Sequence, residues 1–511
     1  MDSYNTNFDG DGIPVISSID VPSAGTYGIG DTLEFTINFD EDCTITNSDA
    51  TLDFTIGTAS RSAAILSNTN NSITFQYTLI EGDDDLDGPT IDTFTINTTT
   101  IQDATENDAD MTLQNIADTT GIILDGTKPQ VTSVDVPADG TYGIGDTIDF
   151  TVNFDEDFTI TNTDATLDIV IGSTTRPASI LSNTNNSITF RYTVQAGDND
   201  LDGPSVDALT LNTTTIQDSA GNDANSTLLN IADTTNIILD GTRPQVSSVD
   251  VPAGATYTGG QSLIYKVNFD ENIILTGSDG TLGITVGSTD QPAEILSSTA
   301  NSITFRYIVQ SGDNDTDGVA VNAITLNTTT IKDAAGNDAT LTLNNIGNTA
   351  AVLVDTAGPE VASISVPADN TYIATNNLDF TVTFTDNVNI TGTDSVLNIT
   401  IGSTSRPAAY LSETANSITY RYQVQNGDND TNGISVDSLT LNSTVIQDAA
   451  ANNLDTTLNG VASTANVLVD TTPPAIQSVS VPADNTYIET NTLDFTVTFN
   501  DNITVSGTDS V

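Results

Sequence analysis

The chain has no histidine, no tryptophan, one cysteine and ten basic residues in 511, against 69 acidic ones. Each shortage excludes something. A net charge of −59 repels nucleic-acid phosphates, which bind through Lys and Arg. It disfavours anionic membrane surfaces for the same reason. Without histidine and with one thiol, no Cys/His zinc site can be built. Ser–His–Asp and Cys–His nucleophiles are likewise excluded. Cys43 has no disulfide partner within the chain. Its equivalents in later repeats are Phe158, Ile273, Val388 and Ile503, so it reads as a small apolar core residue. No signal peptide, membrane-spanning run or lipidation motif is visible. What the composition favours is attraction for hard cations that take oxygen ligands.

The acidity does not imply disorder. Val, Ile, Leu, Phe and Tyr recur at strand spacing along the whole chain, enough to bury a core. Internal repetition sets the organisation. The string Pro-x-Val/Ile-x-Ser-Val/Ile-x-Val-Pro begins at Pro14, Pro129, Pro244, Pro359 and Pro474, every 115 residues. The spacing predicts a leader or the tail of a preceding module over 1–13. Four whole repeats follow, 14–128, 129–243, 244–358 and 359–473, then a truncated fifth over 474–511. A fifth repeat of two strands cannot close a sandwich, so the chain reads as a fragment of a longer repeat protein.

Within repeat 2, Ile148, Phe150, Val152 and Phe154 alternate with polar residues, as do Ile188, Phe190, Tyr192 and Val194. Period two over short runs bounded by Gly, Asp and Asn is half-buried β-strand. About seven strands per repeat with Greek-key spacing predict an all-β tandem array of immunoglobulin-like (cadherin-like) β-sandwiches. End-to-end stacking would make an elongated rod, on the order of 130–160 Å for four modules.

Repeat 2 carries 17 acids against Arg176, Arg191 and Arg243. Ten fall in four loop clusters: Asp155–Asp157; Asp198, Asp200, Asp202 and Asp207; Asp218 and Asp223; and Asp240. The string GDNDLDG reads D-x-D-x-D-G, the first half of a calcium loop, with alternate oxygens converging and Gly allowing the turn. Leu209 stands where an EF-hand needs Glu, so this is not an EF-hand. The string recurs as Asp83/Asp85/Asp87, Asp313/Asp315/Asp317 and Asp428/Asp430/Asn432. A polar turn with Asp bonded to local backbone is the competing reading. Antiparallel topology puts acids at both poles of each module. At the second junction it sets Asp198, Asp200, Asp202 and Asp240 against Asp270, Glu271 and Asp333. The corresponding acid in repeat 2 is Glu156. Close carboxylates repel, and bridging Ca2+ would turn that repulsion into a clamp.

The strings TYGIGDTIDFTVNFDE, ITFRYTVQAGDNDLDG, LTLNTTTIQDSAGND and LDGTRP resemble the tandem immunoglobulin-like repeats of giant bacterial surface proteins. These include type I secreted adhesins and the cyanobacterial swimming-associated surface protein. The likeness runs from Pro14 to Val511. It implies a calcium-stiffened extension stalk outside the cell, and calcium ligands at Asp125, Asp240, Asp355 and Asp470 and at Asp103, Asp218, Asp333 and Asp448. The chain departs from the pattern at Thr105-Glu106-Asn107, Thr385, Ala451 and the Asp355-Thr356-Ala357-Gly358 junction.

The expected partners are calcium ions and neighbouring repeats, with any host, glycan or surface ligand outside this fragment. Neither nucleic acid nor a membrane span is expected. Two other functional readings remain: repeats that themselves bind glycan, ice or partner cells, and a motility-associated or surface-layer protein. An enzyme is not expected, because a carboxylate pair repeated in every module lacks the other elements of a glycosidase site. Arg191, Arg306 and Arg421 lie between aromatic residues on one strand and point outward to neighbouring acids.

Overall fold

The computed structural model describes residues 12–507, so most of the expected leader lies outside the described residues. It is all-β, with one fold occurring four times in tandem. The chain divides into two compact units, Met1–Pro244 with Lys332–Ala339, and Gln245–Ile331 with Thr340–Val511. The first holds repeats 1 and 2 with the 332–339 loop of repeat 3, and the second holds the rest.

Repeat 2 shows how the sequence builds the fold. Its main sheet has six antiparallel strands in the order Val131–Asp135, Thr147–Phe154, Ser187–Thr193, Thr174–Asn183, Thr166–Ile171, Ser205–Thr210. Alternate residues of the Thr147–Phe154 strand face inward, with Ile148, Phe150 and Val152 fully buried. Three register shifts, at Val131/Ser133, Ile180/Ser182 and Asp168/Ile169, bend the strands. Bulges of this kind add local twist and curl a sheet. The ten-residue Thr174–Asn183 strand bonds neighbours on both sides, so the expected sandwich is one sheet curled over its core. The open side is closed by a small sheet in which Gly140–Gly143 runs parallel to Ile237–Asp240 and Asn199–Asp200 runs antiparallel to it.

Local chemistry fixes the turns. The Thr166–Ile171 and Thr174–Asn183 strands are joined by Gly172-Ser173 alone. Gly172 has φ 57°, the left-handed conformation that two-residue hairpins need. The recurring tyrosine closes the loop after the first strand. Tyr142 donates its hydroxyl to Ala138 O at 2.8 Å and packs on the core, and Tyr27, Tyr257 and Tyr372 donate likewise to the carbonyl four residues back. Cys43 belongs to the core of repeat 1. Burial and neighbouring acids push its thiol up to about 11, which leaves it protonated and inert. Arg191 and Arg421 pair outward with Asp149 and Asp379 at 2.7 and 2.6 Å. Beyond Pro474, Ile476–Ser480 pairs with Thr496–Phe499.

Candidate metal centre

The acids follow different fates, and their place in the fold decides which. Asp83, Asp198, Asp313 and Asp428, each first in its D-x-D-x-D-G string, are buried. Asp198 accepts from Tyr192 Oη at 2.5 Å, Gln195 N at 2.8 Å and Arg176 Nε at 2.9 Å. Asp83 and Asp428 have the same set through Tyr77 and Arg61, and Tyr422 and Arg406. Gln291 replaces the arginine in repeat 3, where Asp313 keeps Tyr307 and the Gln310 amide. The second acids, Asp85, Asp200, Asp315 and Asp430, are buried as well. They cap the hairpin glycine amides of Gly57, Gly172, Gly287 and Gly402 at 2.6–2.7 Å. The third positions, Asp87, Asp202, Asp317 and Asn432, are exposed. Alternation along the string does put its first two carboxylates on one face. That face is the protein interior, where Tyr, Arg and backbone amides meet them. The structure does not gather the three side chains around one point.

It gathers a different set. One oxygen each of Asp125, Glu156 and Asp218 lie within 4.8 Å of one another. Asp125 ends the last strand region of repeat 1. Glu156 follows the Thr147–Phe154 strand, and Asp218 opens the D-x-A-G-N loop of repeat 2. Three constraints bring them together. Asp218 accepts from Asn222 N at 2.9 Å and Asn222 Nδ2 at 2.7 Å, which folds the loop. The Asn222 amide also donates to Asp125 O and Thr127 O, both at 2.8 Å, tying that loop to the end of repeat 1. Asp155 Oδ1 accepts from Gln130 N at 2.7 Å and fixes the turn that carries Glu156.

The electrostatics are unfavourable as they stand. Two carboxylates about 5 Å apart at an effective dielectric near 20 repel by about 3 kcal/mol. Burial, then Asp125, Asp218, Asp155 and Asp84, push the Glu156 carboxyl up to about 7. Burial also raises Asp125, with Asp218 and Asp84 adding to the rise against one opposing amide. Glu156 Oε1 is buried and has no hydrogen-bond partner. An orphaned buried oxygen beside two more carboxylates, with no nitrogen or sulfur donor, fits a hard divalent cation.

The other expected ligands are distributed as follows. Asp103, Asp333 and Asp448 are buried and accept from the loop Asn of their own repeat, as Asp218 does. Asp240, Asp355 and Asp470 are half-buried at the ends of repeats. Asp270 is exposed and caps Gln245 N at 2.8 Å, and Glu271 is half-buried. In the second unit, Asp355, Asp386 and Asp448 line a cavity of ≈440 Å³ with Asn314, Thr316 and Asn387. Asp386 there stands where repeat 2 has Glu156. Charge counting missed Asn222 altogether, because an uncharged residue in an Asn-rich chain carries no signal without its partners.

No family model and no curated protein matches the chain. Among solved structures it is similar to two structures of the plexin A4 extracellular region. The TM-scores are 0.15 and 0.18, at 10% and 8% identity over 92% and 86% of this chain. The chain spans 38% and 48% of those chains' length. It is also similar to a DUF4785 family protein of Legionella pneumophila. There the TM-score is 0.16 at 9% identity, over 61% of this chain and 80% of that one. At such TM-scores these likenesses carry no argument about function. Among the described residues no helix is long and apolar enough to cross a membrane. What stands is a tandem-repeat β-domain chain with acidic oxygens collected where repeat 1 meets repeat 2.

Proposed function

We propose that the repeats form a calcium-stiffened extension stalk of a large extracellular surface protein of the adhesin or biofilm type. The observation that supports it most is the set of Asp125, Glu156 and Asp218 oxygens, with Glu156 Oε1 buried and unpartnered. Asp125 and Glu156 come from successive repeats. A Ca2+ held by both cancels their repulsion and couples the two modules. Its larger, more flexible coordination suits carboxylates on two bodies better than the strict octahedron of Mg2+. The role is mechanical: reach and stiffness, with the ligand bound elsewhere in the full protein.

Small-angle scattering and thermal unfolding of the chain in calcium, magnesium and EDTA at equal ionic strength test this. The expected result is a calcium-specific rise in melting temperature together with a longer, less flexible particle. Identical curves and dimensions in all three buffers would leave salt adaptation as the explanation of the charge and end the proposal.

A further inference from the structure

We infer that the interface between successive repeats is a lock whose fit is set by one residue, and that the repeat 3/4 interface lacks it. The key is the Asn that ends the D-x-A-G-N string of the following repeat. Asn222 Nδ2 holds two carbonyls of the preceding linker, while its Oδ1 accepts from Ile29 N of repeat 1 at 2.6 Å. Asn337 repeats the set: Nδ2 to Asp240 O and Thr242 O at 2.8 and 2.9 Å, and Oδ1 from Ile144 N at 2.6 Å.

The keyhole is a glycine. A Cβ at Gly28 would lie 2.5 Å from Ala220 O and 2.8 Å from Asn222 Oδ1, and one at Gly143 would meet Ala335 O and Asn337 Oδ1 in the same way. Neither glycine has a left-handed backbone. Space alone excludes a side chain, because the following repeat's loop sits directly on the backbone.

Repeat 3 carries Thr258 at this position. Its turn is otherwise the same: Thr258 N bonds Gln261 Oε1 at 3.0 Å, as Gly28 N bonds Asp31 Oδ2 and Gly143 N bonds Asp146 Oδ2 at 2.9 Å. The interface above it differs. Asn452 Nδ2 reaches Asp355 O at 3.1 Å and Ala357 O at only 3.4 Å. Among the described residues, no bond joins Gly259 N to Asn452 Oδ1. A cavity of ≈340 Å³ opens instead, lined by Thr258, Gly259, Ser311 and Asn452 among others. The partner that fits a Gly28-type surface is therefore a repeat presenting Ala-Gly-Asn on its loop. A repeat with a side chain at that position docks the next one loosely. The joint between repeats 3 and 4 is therefore more compliant than the joint between repeats 1 and 2.

Hydrogen exchange of the full chain in EDTA, read at single amides, tests the lock without any cation, so its outcome is independent of the calcium reading. After correction for intrinsic exchange, the Ile29 and Ile144 amides should be about five- to tenfold better protected than Gly259, the worth of one hydrogen bond. Thr258→Gly should slow Gly259 to match them, and Gly28→Thr should speed Ile29. Ala451→Gly is the control, since Ala451 has φ 68° where Gly221 and Gly336 stand in repeats 2 and 3. Equal protection of the three amides in the unmodified chain would overturn the inference. So would a Thr258→Gly chain with Gly259 unchanged, or recovery by Ala451→Gly alone.

Discussion

Replacing Glu156 by Gln should have opposite effects with and without calcium. In EDTA above pH 7, the ionised Glu156 carboxylate sits against Asp125 and Asp218 with one oxygen buried and unpaired. Its folded value of about 7 lies above the usual 4.5. The folded form therefore disfavours the charge. The penalty is complete above about pH 7, shrinks as pH falls, and is gone below about 4.5. Taken at face value the displacement is worth at most about 3 kcal/mol. The carboxyl keeps contact with solvent, which screens it, so about 1–2 kcal/mol should be measurable. Metal-free wild type should therefore protect the amides around 125–128 and 155–158 better at pH 5 than at pH 8, after correction for intrinsic exchange. Glu156→Gln should abolish that pH dependence and raise protection at pH 8. In calcium the order should reverse, because the amide donates a weaker ligand oxygen and Ca2+ affinity falls by tenfold or more. Hydrogen exchange at both pH values and calcium titration calorimetry read these effects. A Glu156→Gln chain that keeps the wild-type pH slope, or binds calcium as tightly, refutes the reasoning.

Tyr265 is fully buried with no partner for its hydroxyl, so Tyr265→Phe should stabilise repeat 3 by about 1–2 kcal/mol in denaturant unfolding. A different hydroxyl pair in the core of repeat 4, Ser395 Oγ to Tyr420 Oη at 3.1 Å, predicts the reverse: Ser395→Ala should cost about 1–2 kcal/mol by leaving Tyr420 unpaired. Arg176→Met should cost about 2–3 kcal/mol, because Asp198 would stay buried with its charge uncompensated. Side-chain bonds from Thr and Ser hold Asp49, Asp164, Asp279 and Asp394 below the usual carboxylate range, Asp279 at about 2. Their contribution is present above about pH 4 and lost as pH falls toward 2, so far-UV circular dichroism in fixed salt should show acid unfolding beginning below pH 4.

Period-two alternation in Thr147–Phe154 and Ser187–Thr193 marked those strands, because an inward face must be apolar at every second residue whatever its partner. It could not show that Thr174–Asn183 bonds neighbours on both sides and merges two sheets into one. The strand pairs with Thr166–Ile171 through Ser179 and with Ser187–Thr193 from Ser179 onward, a change of partner with no compositional trace. Glu156 and Asp218 were placed at one pole by antiparallel topology alone, and they do lie together. Asp198 and Asp200 looked like ligands because D-x-D-x-D sets alternate carboxylates on one face. What meets Asp198 is the Arg176 charge, 22 residues earlier, and the Tyr192 hydroxyl. The string itself does not reveal either partner.

The charge of −59 therefore acts through physically distinct populations. Asp198, Asp200 and Asp164 are held by donors inside their own repeat, and removing them should damage one module whatever the metal. Asp125 and Glu156 are raised by burial and by neighbouring carboxylates, Asp218 and Asp84 for both and Asp125 also for Glu156, and they oppose close approach of the two repeats until a proton or the proposed cation arrives. Salt screens exposed charges over a Debye length of about 8–10 Å but acts far less on partly buried pairs. Monovalent salt should therefore relieve the general repulsion of the chain and leave the penalty at Glu156 largely in place, while divalent calcium removes it. Melting curves that rise with sodium chloride and then rise again with millimolar calcium at saturating salt separate the two populations. A single rise, exhausted by monovalent salt, would mean that the joint carboxylates are no different from the rest of the surface.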